Sequence, residues 1–428
     1  MPPLAVVLAV FFGLFLLRVP VAFTLAAASM VGLLLSPTPI QLSTLATAMW
    51  QGINSFVLLA LPFFILMGDL ALASGVTRRL VDFAKAFVGH IAGGLAHVSV
   101  IVNMIMAGMS GSDLADAAAT GSVLIPAMKR VGYPTGYAAS LIAGAATIGP
   151  LIPPSIAFII FAAATDTSVG RLFLGGAIPG VMLGLLLMAQ AYVVARRRGY
   201  PREPRVAVRE RLRLTWISLP VLAIPVFVLG SIVAGIATPT EAAVVGVLSV
   251  LAVGGLLYRE LTLRTVATQM LTTLRTTASI FFIIATAAGF ARVLTLYGAA
   301  SALADWITGL TTSPAMFLIG ANIVFLLLGC VVDTVPILLV FVPLLMPSVK
   351  ALGIDPVHFG VITVFNLLIG LITPPYGLTM YLLCRISNIS LAEFWKYAWP
   401  IFLMMLFALL LCTFIPALTT WLPNLVMG

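Results

Sequence analysis

Ser110-Gly111-Ser112-Asp113 and, further along, Gly149-Pro150-Leu151-Ile152-Pro153-Pro154 interrupt two of the most apolar parts of the chain. Small polar residues, an acid and prolines are costly at membrane depth, because the bilayer core has no water to satisfy a broken backbone. The second half contains a similar pair, Gly329-Cys330-Val331-Val332-Asp333 and Gly370-Leu371-Ile372-Thr373-Pro374-Pro375. These four interruptions predict non-helical backbone that is buried in protein or lines a cavity inside a membrane protein.

The composition agrees with a polytopic membrane protein. Of 428 residues, 62% are hydrophobic and only 8% are charged, whereas soluble domains carry about 25% charged residues. The three cysteines and three histidines are scattered through the chain and have no metal-ligand spacing. The absence of an HExxH motif and of a Cys/His pair disfavours an intramembrane enzyme, which needs a nucleophile with its base or a metal cluster.

The apolar segments predict ten crossing helices, since one crossing needs about 20 apolar residues. They cover residues 3–17, 19–35, 54–75, 136–163, 171–195, 214–235, 238–257, 276–297, 356–384 and 397–417. The stretches 91–131 and 314–350 each carry a polar break at the middle and are predicted to be re-entrant helical hairpins. Four mixed segments are interpreted as helices in the interface plane or as ordinary connecting loops: 40–53, 77–90, 261–275 and 299–312.

The positive charges test this topology. With the amino terminus outside, every Lys and Arg except Arg171, Arg292 and Lys350 falls on one side, including the eight arginines of segment 196–213. Basic residues are retained on the cytoplasmic side of a membrane. A hairpin counted as a single crossing would reverse every later loop, so the charges favour the re-entrant interpretation.

The two halves repeat at an offset of 221 residues. The matching positions are Pro126 with Pro347, Lys129 with Lys350, Gly132 with Gly353, Gly149 with Gly370, and Pro153-Pro154 with Pro374-Pro375. Each half has five crossings, so the second half is predicted to be inserted upside down, as in the inverted repeats of secondary transporters. The predicted domains are a first inverted repeat at 1–195, a cytoplasmic basic linker at 196–213 and a second inverted repeat at 214–428.

The interruptions also predict an ion site and a substrate site. Free carbonyl groups and side-chain oxygens suit a hard cation, and free N–H groups suit a carboxylate. The candidate Na⁺ ligands of the two sites are Ser110, Ser112, Asp113, Gly149 and Pro150, and Gly329, Asp333, Thr334, Ile372 and Thr373. The candidate substrate residues between them are Ser112, Asp116, Pro154, Asn366, Thr373 and Pro375. Protons are an alternative coupling ion if Asp113 or Asp333 titrates when buried. Asp69 and Glu241 are interpreted as structural partners between helices.

The segment Gly108-Met109-Ser110-Gly111-Ser112-Asp113-Leu114-Ala115-Asp116 resembles the large membrane subunit of TRAP transporters, the DctM family. The likeness continues at Ile125-Pro126-Ala127-Met128, Gly132-Tyr133, Ile152-Pro153-Pro154-Ser155, Ala237-Thr238-Pro239-Thr240-Glu241-Ala242-Ala243, residues 329–336 and Thr373-Pro374-Pro375.

The resemblance implies a permease subunit of a bacterial or archaeal inner membrane, with an elevator-type architecture. It further implies uptake of organic acids, such as C4-dicarboxylates or sialic acid, driven by a Na⁺ gradient. The implied partners are a small four-helix membrane subunit and a periplasmic substrate-binding protein. A stand-alone carboxylate symporter or antiporter coupled to Na⁺ or H⁺ is the alternative.

Overall fold

The fold is built from helices. A computed structural model describes residues 3–36 and 42–428, and every regular element of these residues is helical. Within the described residues, seven helical segments are long and apolar enough to cross a membrane: Phe56–Ala73, Val169–Arg198, Val208–Val233, Pro239–Leu257, Leu263–Leu296, Thr334–Ala351 and Leu391–Phe414. Large apolar side chains such as Phe227 and Trp216 remain exposed on the surface. The predicted all-α polytopic membrane protein is therefore confirmed.

The described part of the first half contains ten α-helices. They are α1 Pro3–Leu16, α2 Val21–Leu34, α3 Ser43–Ile53, α4 Ala60–Ala73, α5 Val76–Val88, α6 Gly94–Ser110, α7 Asp113–Arg130, α8 Thr135–Ala146, α9 Ile156–Thr165 and α10 Val169–Arg198. A short 3₁₀ helix, Phe56–Leu59, leads into α4. The first two residues of the predicted segment 40–53 lie outside the described residues.

The second half also contains ten α-helices. They are α11 Val208–Val233, α12 Pro239–Leu251, α13 Leu263–Leu296, α14 Ala299–Leu310, α15 Pro314–Gly329, α16 Thr334–Ala351, α17 Pro356–Gly370, α18 Leu378–Ser387, α19 Leu391–Phe414 and α20 Ala417–Met427. A π-helical turn, Ala252–Leu257, extends α12. The helix bounds follow the sequence repeat closely, since α16 begins and ends 221 positions after α7. The opposite membrane orientation of the two halves stays a prediction.

Glycine and serine produce the turn between α6 and α7. Gly111 ends α6 in the left-handed region, with φ of 57°, a conformation that glycine adopts without a steric penalty. A Cβ atom at Gly111 would lie 2.5 Å from the carbonyl oxygen of Pro154. The Ser112 Oγ then caps α7 by accepting a hydrogen bond from the Ala115 N–H at 3.4 Å. The turn therefore lies directly against the first proline-rich break, residues 147–155 between α8 and α9.

Prolines separate α8 from α9 and α17 from α18. Pro150, Pro153 and Pro154 lack the N–H group that a continuing helix needs, and helix resumes only after Ser155, whose Oγ accepts from the Phe158 N–H at 3.2 Å. The second break spans residues 371–377 and contains Pro374-Pro375. The Pro153–Pro154 and Pro374–Pro375 peptide bonds are both cis.

One predicted boundary is wrong. The sequence predicts an interface helix or a connecting loop at 261–275 and a separate crossing at 276–297, but the structure has one continuous helix, α13. The physical reason is the absence of a helix breaker, because α13 contains no proline and a single glycine, Gly289. In the first half, the chain between α3 and α4 leaves the α-helix at Asn54-Ser55.

The linker between the halves is shorter than predicted. Helix α10 continues through Arg198 and α11 begins at Val208, so only residues 199–207 lie outside helices. Arginine is a good helix former, which allows both helices to extend into the basic segment. Gly199, with φ of 67°, ends α10.

The helices pack in two groups that each draw on both halves of the chain. In the first group, α2, α3 and α4 pack against α13, and α4 also packs against α12. In the second group, α8 packs against α6, α18 and α19, α7 packs against α6 and α18, and α9 packs against α16. The groups meet where α4 contacts α6 and α13 contacts α16. This junction contains the cavity described below.

Candidate functional site

A cavity of about 420 Å³ lies at the junction of the two helix groups. The first tip, residues 110–115, and the second tip, residues 333–335, both line it. Pro150 of the first break closes one side. The opposite wall is formed by α4 and α13, and the remaining lining residues are Ile65, Gly68, Asp69, Ile156, Ala157, Ile160, Thr276, Ile280, Ile283 and Leu368. Two distant interruptions of the sequence thus share one space.

The cavity is acidic. Asp69, Asp113 and Asp333 belong to its lining, and none of the described residues that line it is Lys, Arg or His. Hydroxyl groups of Ser110, Ser112, Thr276 and Thr334 add polar atoms. Any anion that enters must therefore be balanced by a bound cation or by backbone N–H groups at helix starts.

Asp116 links the first tip to the first break. It is fully buried, and its Oδ1 accepts a hydrogen bond from the Ser110 hydroxyl at 2.6 Å. Its Oδ2 is buried without a hydrogen-bond partner in the described part of the chain, and a Cβ atom at Gly149 would lie 2.7 Å from it. A buried carboxylate oxygen without a donor is costly, and a cation beside Gly149 would satisfy it.

Asp113 connects the first tip to the second half of the chain. Its Oδ2 accepts a hydrogen bond from the Thr379 hydroxyl at 2.6 Å. The Thr379 N–H donates in turn to the carbonyl of Leu371 at 3.1 Å, at the start of the second break. The sequence does not predict a role for Thr379, because the residues around it show only that it follows the second break.

The second tip, like the first, starts a helix with a polar side chain at the N-cap. Asp333 precedes α16 and its Oδ1 accepts from the Thr334 N–H at 2.7 Å, while the Thr334 hydroxyl is buried without a partner among the described residues. The Tyr376 N–H of the second break donates to the carbonyl of Cys330 at 3.0 Å. Behind the tip, a Cβ atom at Gly370 would lie 2.4 Å from the carbonyl carbon of Gly329. The end of α17 and the second break therefore pack directly on the chain that leads from α15 into the second tip.

Some of the predicted site residues line the cavity and others do not. The lining contains Ser110, Ser112, Asp113, Pro150, Asp333 and Thr334. The predicted residues that do not belong to this lining are Asp116, Gly149, Pro154, Gly329, Asn366, Ile372, Thr373 and Pro375. Of these, Pro154 packs against Gly111 of the first tip, Gly149 against Asp116, and Gly329 against Gly370. Their assignment as ligands stays a prediction.

Asn366 has a structural contact of its own. Its Nδ2 donates to the backbone carbonyl of Asn322 at 2.8 Å and to the Asn322 Oδ1 at 2.9 Å, and the Asn322 Nδ2 donates to the Thr413 hydroxyl at 2.9 Å. This network joins α15, α17 and α19. The Asn366 Oδ1 is buried without a partner among the described residues, so one polar atom of this side chain remains free. Thr373 donates its hydroxyl to the carbonyl of Ile369 at 2.7 Å.

Asp69 combines the predicted structural contact with a place in the cavity wall. Its Oδ2 accepts a hydrogen bond from the Thr273 hydroxyl at 2.7 Å, which joins α4 to α13, and it also lines the cavity. Glu241 does not make the predicted contact between helices, because its Oε2 accepts from the Thr238 N–H and hydroxyl, each at 2.8 Å, in a capping box at the start of its own helix, α12.

These features are those of a membrane transport protein, and comparison with solved structures bears on the fold. The fold is similar to that of the Neisseria gonorrhoeae antimetabolite efflux pump MtrF, with a TM-score of 0.65 over 96% of this chain and 98% of that chain. Sequence identity in this match is only 14%, so the match establishes similarity of fold alone.

The sequence comparisons identify the family. Residues 8–418 match the model for the DctM component of tripartite ATP-independent periplasmic transporters, and the chain belongs to this family. It is 42% identical to the C4-dicarboxylate TRAP transporter large permease protein DctM of Pseudomonas aeruginosa, over 92% of this chain and 91% of that protein. It is 36% identical to the sialic acid TRAP transporter large permease protein SiaM of Vibrio cholerae, over 97% of both chains. The resemblance found in the sequence is confirmed, and the relatives are transporters rather than enzymes.

Proposed function

We propose that this chain is the permease subunit through which an organic acid enters the cell together with Na⁺. The observation that carries the proposal is the shared cavity, in which the acids and hydroxyls of both tips face one space. The two relatives described above are named for C4-dicarboxylates and for sialic acid, and these substrates have a carboxylate in common. A carboxylate is therefore the proposed substrate group.

Na⁺ is the proposed coupling ion because the site offers oxygen atoms and negative charge without a basic side chain. Hard cations prefer carboxylate, hydroxyl and carbonyl oxygens. At the first site, the unpartnered Oδ2 of Asp116 faces Gly149 and the Asp113 carboxylate lies in the cavity wall. At the second site, Asp333 and the unpartnered Thr334 hydroxyl provide the equivalent oxygens. Bound Na⁺ would balance the charge of the incoming anion.

The proposed movement is that of an elevator. The second helix group holds both tips and both breaks, whereas α4 and α13 of the first group form the facing wall. The two helix groups approach closely at Gly68 of α4, where an added Cβ atom would lie 2.9 Å from the Cα of Ser110. We propose that the second group slides along this wall and carries the substrate between the two sides of the membrane.

The proposed setting is the inner membrane of a bacterium or archaeon. The family is described as tripartite and periplasmic, so we assign two partners to this chain. One is a small four-helix membrane subunit, and the other is a periplasmic substrate-binding protein that delivers the acid.

Reconstituted transport tests this function. Proteoliposomes that contain the chain with its small membrane subunit should accumulate a radiolabelled C4-dicarboxylate or sialic acid only with an inward Na⁺ gradient and the cognate binding protein outside. An equal rate with a proton gradient in Na⁺-free buffer would contradict Na⁺ coupling. Full uptake by the chain alone would replace the proposal with a stand-alone symporter.

Thr379→Val should weaken Na⁺ activation of uptake by about tenfold to a hundredfold, because it removes a hydrogen bond to a carboxylate without changing side-chain volume. Thr379→Ser retains the hydroxyl and is the matched control. The measurement is the Na⁺ concentration for half-maximal uptake. Equal Na⁺ dependence of the Val and Ser variants would show that the Asp113–Thr379 contact has no part in coupling.

A further inference from the structure

A basic and apolar surface lies far from the cavity, at the start of α11. Val208, Leu212 and Trp216 are spaced four residues apart on one face of this helix and are 69%, 66% and 77% exposed. Arg209 and Arg213 flank them and are also exposed. The same exposed face continues down α11 to Val226 and Phe227, as expected for a helix surface in contact with lipid.

The end of α12 adds to this surface. The Tyr258 hydroxyl donates to the backbone carbonyl of Ile217 at 2.7 Å, which holds the π-helical turn against α11. Leu256 and Leu257 of this turn are 78% and 58% exposed. Arg259, the next residue after Tyr258, is exposed as well. Arg209 and Arg213 on α11, and Arg259 just after the π-helical turn, thus add three exposed guanidinium groups to a band of exposed apolar side chains.

Nearby acids neutralise little of this charge. Glu260 pairs with Arg79 at 2.6 Å and Glu203 pairs with Lys85 at 3.1 Å. Glu210 lies 3.3 Å from Arg213, but both side chains are exposed and neighbours on one helix, and such pairs are weak. Arg209 and Arg259 form no ion pair with any acid that the structure describes.

We propose that Arg209, Arg213 and Arg259, with Trp216 beside them, form a binding site for the headgroup of an anionic phospholipid. Guanidinium groups bind phosphate oxygens through paired hydrogen bonds. Tryptophan favours the boundary between headgroups and acyl chains, and the exposed face of α11 below it provides an apolar surface for the chains. Positive charge that only fixes topology requires neither the apolar stripe nor this placement of the arginines.

Native mass spectrometry of the full chain tests this site. In detergent containing equal amounts of phosphatidylglycerol and phosphatidylcholine with identical acyl chains, the protein should retain phosphatidylglycerol preferentially. The ratio of bound phosphatidylglycerol to bound phosphatidylcholine should fall about thirtyfold in R209Q/R213Q and about fivefold in Arg259→Gln. The reason is that each basic residue near an anionic headgroup contributes a similar amount of binding free energy. The matched control is K129Q/R130Q, which removes two exposed charges at the end of α7 and should keep the preference.

Three results would overturn the proposal. They are the absence of a preference in the wild-type chain, an equal loss in the K129Q/R130Q control, and an unchanged preference in both R209Q/R213Q and Arg259→Gln. Co-purification with the small membrane subunit is measured in parallel. If R209Q/R213Q loses that subunit but retains its lipid preference, the surface binds protein rather than lipid.

Discussion

Asp113→Asn is expected to reduce Na⁺-driven uptake by about a hundredfold, the effect of losing a strong interaction with a charged group. The substitution keeps the size of the side chain and an oxygen that can accept from Thr379, so the fold should remain intact. What it removes is one of the negative charges at the wall of a cavity that has no basic residue among its described lining. The measurement is the initial uptake rate in proteoliposomes at saturating binding protein.

Asp305→Asn is the matched control, because Asp305 is exposed on α14 and does not line the cavity. It should transport at the wild-type rate. Combining Asp113→Asn with Thr379→Val should cost much less than the two separate effects together, since Thr379 acts through the Asp113 carboxylate, whose charge Asp113→Asn already removes. Wild-type uptake by Asp113→Asn, with unchanged Na⁺ dependence, would remove Asp113 from the ion site.

Gly370→Ala is expected to abolish uptake and to destabilise the protein by about 1–3 kcal/mol, the usual cost of overpacking. The added Cβ would lie 2.4 Å from the carbonyl carbon of Gly329, with only backbone atoms of Gly329 as its nearest neighbours. Backbone cannot rotate away as a side chain can, so the end of α17 must separate from the end of α15. Thermal unfolding and uptake measure the two effects.

Gly320→Ala is the control for this substitution, and Gly320 lies in α15, the helix that Gly370 contacts. A Cβ there would meet nothing within 4 Å, so the substitution should leave uptake unchanged and gain up to about 1 kcal/mol of helix stability. The variant Gly370→Ala could instead have the thermal stability and the uptake rate of the wild type. In that case the close backbone contact between Gly370 and Gly329 is not needed for transport.

The local elements of this fold follow from sequence patterns of short range. Gly111 and Ser112 are a helix end followed by a helix cap, and prolines at 150, 153 and 154 prevent α8 from continuing. Apolar composition determines that the chain resides in a membrane. The boundary at 275 could not be predicted well, because the polar residues of segment 261–275 suggested an interface while the backbone had no reason to leave the helix.

The candidate site was only partly predictable for a different reason. Ser112, Asp113 and Asp333 were found because each lies at an interruption, but Thr379 lies 266 positions from Asp113 and no pattern near it indicates the contact. The sequence favours Asp69 as a structural partner between helices. Only the approach of α4 to the first tip shows that Asp69 also lines the cavity. Asn366 was assigned to substrate, yet its amide donors bind Asn322.

The sequence by itself determined the membrane location, the positions of the breaks and the family, since these depend on composition, on the backbone limits of glycine and proline, and on motifs. The tertiary structure alone decided which interruptions share a space and which partners they bind there. The physical reason is distance along the chain: hydrogen bonds such as that between Asp113 and Thr379 form only after helices from both halves pack together.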